Sequence, residues 1–280
     1  MQSAPRIHSA PAEPGLGAEF SGSLLRSALI QLRVIHALLL REVITRYGRH
    51  NIGFAWLFLE PMLFTCGIAT LWTMTKMTHG SSLPIVAFAL TGYSSILLWR
   101  NCSNRCIKAI EPNVCLMFHR NVTALDVLLA RVVLEVVGAS VSLTVLSLVF
   151  ISLGWMAPPS NILVALQGWV MLAWFALSLS LLVGALSERS ELLDRVWHIV
   201  TYLLFPLSGA AFLVEWLPSA AQKALLWLPM VHGVEMIRSG FFGGLIHPHY
   251  DVGYLAMANL ILMFFGLAMT RQIRQHVQPE

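Results

Sequence analysis

Charge is what this chain has least of. Asp, Glu, Lys and Arg together make up 11% of its 280 residues, against 57% hydrophobic residues, where a soluble domain is nearer a quarter charged. That scarcity excludes a water-soluble fold. It predicts an all-α integral membrane protein, because in lipid each backbone polar group must be satisfied within its own segment. Cysteine is sparse as well: Cys66, Cys102, Cys106 and Cys115 form no disulfide framework. Cys102 and Cys106 share a helix face, but no His or acidic residue stands at ligand spacing, so no metal site is expected. His247-Pro248-His249 is read in the same way, as a solvated loop. A G-x-x-x-x-G-K-[ST] phosphate loop is missing, and so is a soluble stretch long enough for an ATPase domain. No cofactor is therefore expected on this chain. Nor is it expected to be an enzyme, since no carboxylate pair or Ser/His set converges at one depth. No nucleic acid partner is expected.

What is present is a succession of apolar segments. Residues 1–22, rich in Ala, Pro, Gly and Ser, lack the apolar core of a signal peptide and read as a disordered tail. From Ser23, a plausible N-cap, Leu25, Ala28, Leu32, Ile35, Leu39 and Val43 recur at helical spacing and predict an amphipathic interface helix over 23–50. Residues 51–275 read as one transmembrane domain, with spans at about 52–75, 83–99, 132–153, 161–186, 196–214 and 252–270, and 276–280 as a second tail. Arg131 and Glu135 lie in the first turns of the third span. Between the fifth and sixth spans, 215–245 is too apolar for a solvated loop and too long for a turn. It reads as two short helices broken at Leu228-Pro229, a re-entrant hairpin. Fifteen Lys and Arg fall before the first span, between the second and third, between the fourth and fifth, and after the sixth; Lys76, Lys223 and Arg238 fall opposite. That bias places both termini in the cytoplasm.

The chain is organised around REVITRYGRHNIGFAWLFLEP at 41–61. Leu40, Val43, Ile44 and Tyr47 make one apolar face, and Arg41, Glu42, Thr45, Arg46 and Arg49 fill the other. Glu42 and Arg46 stand in the favourable order for an i,i+4 ion pair. The three arginines would hold the helix on an anionic leaflet or receive an acidic lipid headgroup. Glu60, roughly 12 Å in from Ile52 at a helical rise, is the most deeply placed ionisable residue. It either pins the helix structurally or lines a pathway. Pro61 removes a backbone donor and predicts a kink.

The loop at 100–126 presents Ile107, Ile110 and Val114 at helical spacing, with Asn104, Arg105, Lys108 and Glu111 pointing elsewhere and Pro112 ending or kinking the helix. It is either a docking surface or an ordinary basic loop, and SERSELLD at 187–194, with Glu188 and Arg189, is a second such contact. Glu235 and Arg238, three apart, form a buried ion pair or sit wet at the external interface. Trp56, Trp72, Trp99, Trp155, Trp216 and Trp227 lie near predicted span ends, as an interfacial belt would. Trp56, Phe58, Tyr93 and Phe118 are candidates for stacking on sugar rings.

Two motifs carry a family resemblance. R-E-x-x-x-R-Y-G followed by G-F-x-W-x-x-x-E-P (Arg41–Pro61), and W-x-P-x-V-H-x-x-E-x-x-R (Trp227, Pro229, Val231, His232, Glu235, Arg238), resemble the capsule polysaccharide ABC exporter permeases. These are KpsM-like, type-2 ABC transporter transmembrane subunits, and the likeness runs from about Arg26 to Arg274. Some relatives carry Asn where Leu228 stands here. The resemblance implies a homodimer in the bacterial inner membrane with two ATPase subunits that bind ATP and Mg. It implies that the 100–126 loop contains the coupling helix. It further implies a lipid-linked capsular polysaccharide substrate, a periplasmic co-polymerase or adaptor, and an outer-membrane export protein. Other branches of the scaffold export O-antigen or teichoic acid. The rival class, a channel or secondary transporter, is disfavoured by few ionisable residues in the spans and by the lack of an inverted repeat.

Overall fold

A computed structural model of the chain describes residues 16–47, 51–75, 83–118 and 122–277. The described residues are predominantly helical. In chain order the helices are α1 (Leu16–Tyr47), α2 (Asn51–Thr75), α3 (Ile85–Cys106), a one-turn 3-10 helix (Glu111–Asn113) leading into α4 (Val114–Met117), α5 (Ala124–Ser152), α6 (Ile162–Ser187), α7 (Glu191–Leu207), α8 (Ser219–Leu225), α9 (Pro229–Phe242) and α10 (Val252–Val277). By length and composition α5, α6 and Val252–Ile273 of α10 are apolar enough to cross a membrane.

Several boundaries differ from the sequence reading. The first helix begins at Leu16, so Ser23 lies inside it rather than at its start, and 16–22 are helical. The start of α5 is eight residues earlier than expected. A capping box there joins the Thr123 hydroxyl to the Asp126 amide and the Asp126 carboxylate back to the Thr123 amide, satisfying two otherwise orphan donors. α7 ends at Leu207 rather than Val214, because Gly209 takes a positive φ of 80° and the chain leaves the helix there. Hydropathy alone had carried the span through these apolar but non-helical residues.

α6 is the spine of the bundle. α10 runs parallel to it: the Asn259 side-chain amide donates to the Met171 carbonyl at 3.1 Å, and Gly266 lies against Leu181 and Leu182. α9 runs antiparallel on another face, with Gly240 against Ala165, Gly168 against Ile237 and Gly233 against Leu172. Small residues of this kind let helix backbones approach where lipid removes the hydrophobic drive to associate. The pairing carries Pro229 to about the level of Phe175, roughly 20 Å along α6 from its start. α3 is enclosed almost throughout, buried continuously from Ala87 to Trp99. Trp72 and Trp99, read as interfacial, are therefore core residues, 7% and 0% exposed. Trp155 and Trp227 are exposed.

Candidate coupling and translocation sites

The segment after α3 is not the continuous helix that Ile107, Ile110 and Val114 suggested. Lys108 adopts φ 48°, a left-handed conformation costly for a side-chain-bearing residue, and two neighbours hold it there. Its backbone amide donates to Ser187 Oγ at 3.0 Å, and the Ile110 amide donates to Glu188 Oε1 at 2.9 Å. Glu188 directly follows α6. The two segments read separately as docking contacts are thus one surface, with Glu188 at their junction. Pro112 starts the 3-10 turn instead of ending a helix, since its missing N–H costs nothing in a first turn. Ile110 turns inward onto Ala124, Ala185 and Ile273.

The charged candidates on this surface are engaged within the chain. Arg105 pairs with Glu135 at 3.4 Å, Lys108 with Glu111 at 4.0 Å, and Arg189 donates to the Gln272 side chain. Asn104 has a buried side-chain oxygen without a partner. Cys102 and Cys106 turn their Sγ atoms to the carbonyls of Val132 and Leu128.

α1 is fastened to this end by polar contacts. Gln31 bonds to Asp126, Arg41 to the side chain of Asn113, and Glu42 forms an ion pair with Arg131 at 3.3 Å. Arg131 also donates to the Arg105 carbonyl at 2.7 Å. Glu42 thus has a cation on α5, while the Glu42–Arg46 pair expected from i,i+4 spacing falls on a side chain outside the described residues. The side chains of Arg46 and Tyr47, and all of Arg49, lie outside the described residues, as do Lys76 and Arg120. Leu29, Leu32, Leu40 and Ile44 leave an exposed apolar stripe on α1.

The aromatic candidates do not converge. Tyr93 sits in the core, ringed by Phe64, Trp72 and Phe205 at centroid distances of 5.9, 5.4 and 5.7 Å. It offers no face to a substrate, because α3 is the enclosed helix. Phe118 is exposed just beyond α4. Phe58 is half-buried, its carbonyl accepting from Ser142 Oγ at 2.9 Å. Trp56 and Glu60 lie together on the exposed face of α2 beside Leu59 and Leu63.

The second polar assembly is buried around α9. Arg238 is fully enclosed; its guanidinium donates to the carbonyls of Gly209, Ala210 and Phe212 and lies over the Phe88 ring at 3.8 Å. Glu235 accepts from the amides of Val214 at 3.1 Å and His249 at 3.2 Å. No ion pair joins the two. Each instead satisfies irregular backbone, which is why both are buried rather than wet. His232 Nδ1 accepts from the Asp251 amide at 2.9 Å, so Nε2 carries the proton and donates to the Leu226 carbonyl at 2.8 Å. Pro229 opens α9, and Trp227 is exposed. The W-x-P…H-x-x-E-x-x-R pattern thus fastens 209–214 and 246–251 to one short helix.

Sequence reasoning missed Asn113, Ser187 and Phe88. None carried a motif, and each matters only through a residue distant in sequence. Asp126 did carry one, T-x-x-D ahead of an apolar run.

The family model for the ABC-2 type transporter matches residues 33–242. The chain belongs to the ABC-2 type transporter family. Capsule polysaccharide export inner-membrane protein CtrC of Neisseria meningitidis serogroup B is 43% identical over 258 residues, 92% of this chain and 97% of that protein. The export protein BexB of Haemophilus influenzae is 42% identical, covering 91% and 96%. The polysialic acid transport protein KpsM of Escherichia coli is 30% identical, covering 86% and 94%. The ABC-2 match spans both assemblies: the Lys108–Glu188 surface and most of the α9 node fall inside it.

Proposed function

We propose that this ABC-2 chain is the transmembrane subunit of an ATP-driven exporter that moves lipid-linked capsular polysaccharide across the bacterial inner membrane. The observation that carries the reading is the likeness to capsule export proteins along nearly their whole length. ATP and Mg belong on a separate ATPase subunit, two of which bind a homodimer of this chain. The joined surface of 107–113 and 187–190 is their docking site, presented by Glu188. Glu60 on an otherwise apolar exposed face supports the homodimer, because a carboxylate facing hydrocarbon is costly and a second copy or an enclosed path would cover it.

In this reading the chain crosses the membrane six times, with α8 and α9 as the re-entrant hairpin, α1 in the interface and both termini cytoplasmic. A periplasmic adaptor and an outer-membrane export protein complete the path. Arg46 and Arg49 receive the substrate's acidic headgroup beside α1. Replacing both by Lys keeps charge but loses bidentate phosphate geometry; export at the wild-type rate would reduce this helix to an anchor. The central test is capture of the tagged chain from native membrane. An ATPase subunit should co-purify, and its absence would overturn the reading. Single cysteines at His247 and Arg189, in a cysteine-free background, should react with an impermeant external reagent at the first only.

A further inference from the structure

α2 and α3 each carry a charge that nothing else in the described chain answers. Glu60 is the single charged residue of α2. It faces outward beside the exposed Trp56, Leu59 and Leu63 and makes no hydrogen bond or ion pair among the described residues. α3 carries two arginines. Arg105 pairs with Glu135 at 3.4 Å, but Arg100 has no anionic partner among the described residues. The continuous burial of α3 lapses at Arg100. Its Nε is buried without a hydrogen-bond partner, and its guanidinium carbon stands 5.9 Å from the centre of the Phe205 ring on α7.

The two charges lie at similar depth. Phe64 of α2 meets Tyr93 of α3, and Trp72, further along α2, meets Phe88, earlier in α3; both pairs are 5.9 Å apart between ring centres. The helices are therefore antiparallel. Glu60 is one turn and Arg100 two turns from the Phe64–Tyr93 contact towards the same end, about 6 Å and 10 Å along their helices. Within one chain they stay apart, since Glu60 faces away from the bundle and Arg100 leans towards α7. Charge facing hydrocarbon is costly, and spans that keep such groups pair them. Acyl chains would cover Leu59 and Leu63 but cannot answer a carboxylate. On the same outer face a Cβ at Gly67 would meet nothing within 4 Å, which leaves room for another helix to approach closely.

We propose that Glu60 and Arg100 pair across the homodimer, the carboxylate of each protomer reaching the guanidinium of its partner. A two-fold axis makes both contacts at once, so two charges left open in one chain become two ion pairs in the dimer. Such a pair fixes register and choice of partner more than it adds stability. The inference rests on the homodimer of the proposed function and names the residues that close it.

The test co-expresses two differently tagged full-length chains, one Glu60→Arg and one Arg100→Glu, and reads which tags co-purify from detergent-solubilised membrane. Each variant alone would face like charges across its own dimer, whereas the mixed dimer has both pairs matched. Same-variant dimers should fall roughly tenfold or more below mixed ones, because like charges facing each other away from water are strongly disfavoured. Replacing Arg100→Glu by Arg195→Glu, at an exposed arginine near the start of α7, should give no such preference. If reversed charge stops a chain folding, Glu60→Cys and Arg100→Cys on separate chains, in a cysteine-free background, should be joined by a bismaleimide; an extended Glu–Arg pair holds its Cα atoms too far apart for a disulfide. Random mixing of the reversed chains would overturn the proposal, as would the lack of a crosslink between the cysteine chains. A pair formed within one chain gains nothing from mixing and would show itself in that way. Wild-type chains with two tags that fail to co-purify would instead sink the homodimer itself.

Discussion

Two polar regions of this molecule hold charge in opposite ways. At the Lys108–Glu188 surface, Arg105, Lys108 and Arg41 reach side-chain partners from the rim of the bundle, in positions that are exposed or half-exposed. Around α9, Arg238 and Glu235 are 0% and 1% exposed and spend their hydrogen bonds on backbone rather than on each other. The first arrangement is screened by water and tolerant, because exposed ion pairs contribute little. The second is a rigid fixture, because each lost partner leaves a buried group unsatisfied. In the proposed reading, the first kind suits a surface that engages an ATPase subunit, and the second suits a hairpin that must keep its shape away from water.

The largest effect should come from Arg238→Met. It orphans the carbonyls of Gly209, Ala210 and Phe212 and should cost about 3–5 kcal/mol, read as a collapse in the Tm of detergent-purified protein. An unchanged Tm would mean that the 209–214 backbone is held by something else. Next, Gly92→Ala places a methyl against the Ala210 carbonyl and the Arg238 guanidinium. The expected loss is about 1–3 kcal/mol by the same measurement, with Gly67→Ala, where nothing lies within 4 Å, as the neutral control.

At the other region, Glu188→Ala removes the acceptor of the Ile110 amide and should cost only about 1 kcal/mol in stability. In the reconstituted complex it should still reduce ATP turnover by the partner subunit. Normal turnover would take this junction out of coupling. A comparable loss of about 1 kcal/mol is expected for Glu42→Gln, which keeps an acceptor beside Arg131 but removes the charge of a pair whose side chains are 16% and 17% exposed. A Tm shift that fades as salt is raised would place this pair with the screened rim; a salt-independent loss would move it to the buried class.

How far each region was legible follows from how local its signals are. The α9 node had its residues in one motif, so His232, Glu235 and Arg238 were visible in advance. Their partners were not: an i,i+3 Glu and Arg suggest each other, and nothing in the spacing reveals that Gly209, Ala210 and Val214 come within reach. At the basic end, Arg105 and Glu188 were seen, yet the helical stripe of Ile107, Ile110 and Val114 misled. Helical spacing also arises by chance over two turns, and the left-handed turn at Lys108 depends on Ser187 and Glu188, nearly eighty residues away.

The sequence by itself determined the class of fold, most helix centres, the break at Leu228-Pro229 and the family. Scarce charge, apolar periodicity and proline act on a few neighbouring residues and can be read along the chain. Only the tertiary structure decided which charges pair, that Tyr93, Trp72 and Trp99 are core, and that Glu60 faces outward. Burial and pairing depend on which helices enclose which, and with α3 wrapped by its neighbours and α2 left on the rim, identical residue types meet opposite environments.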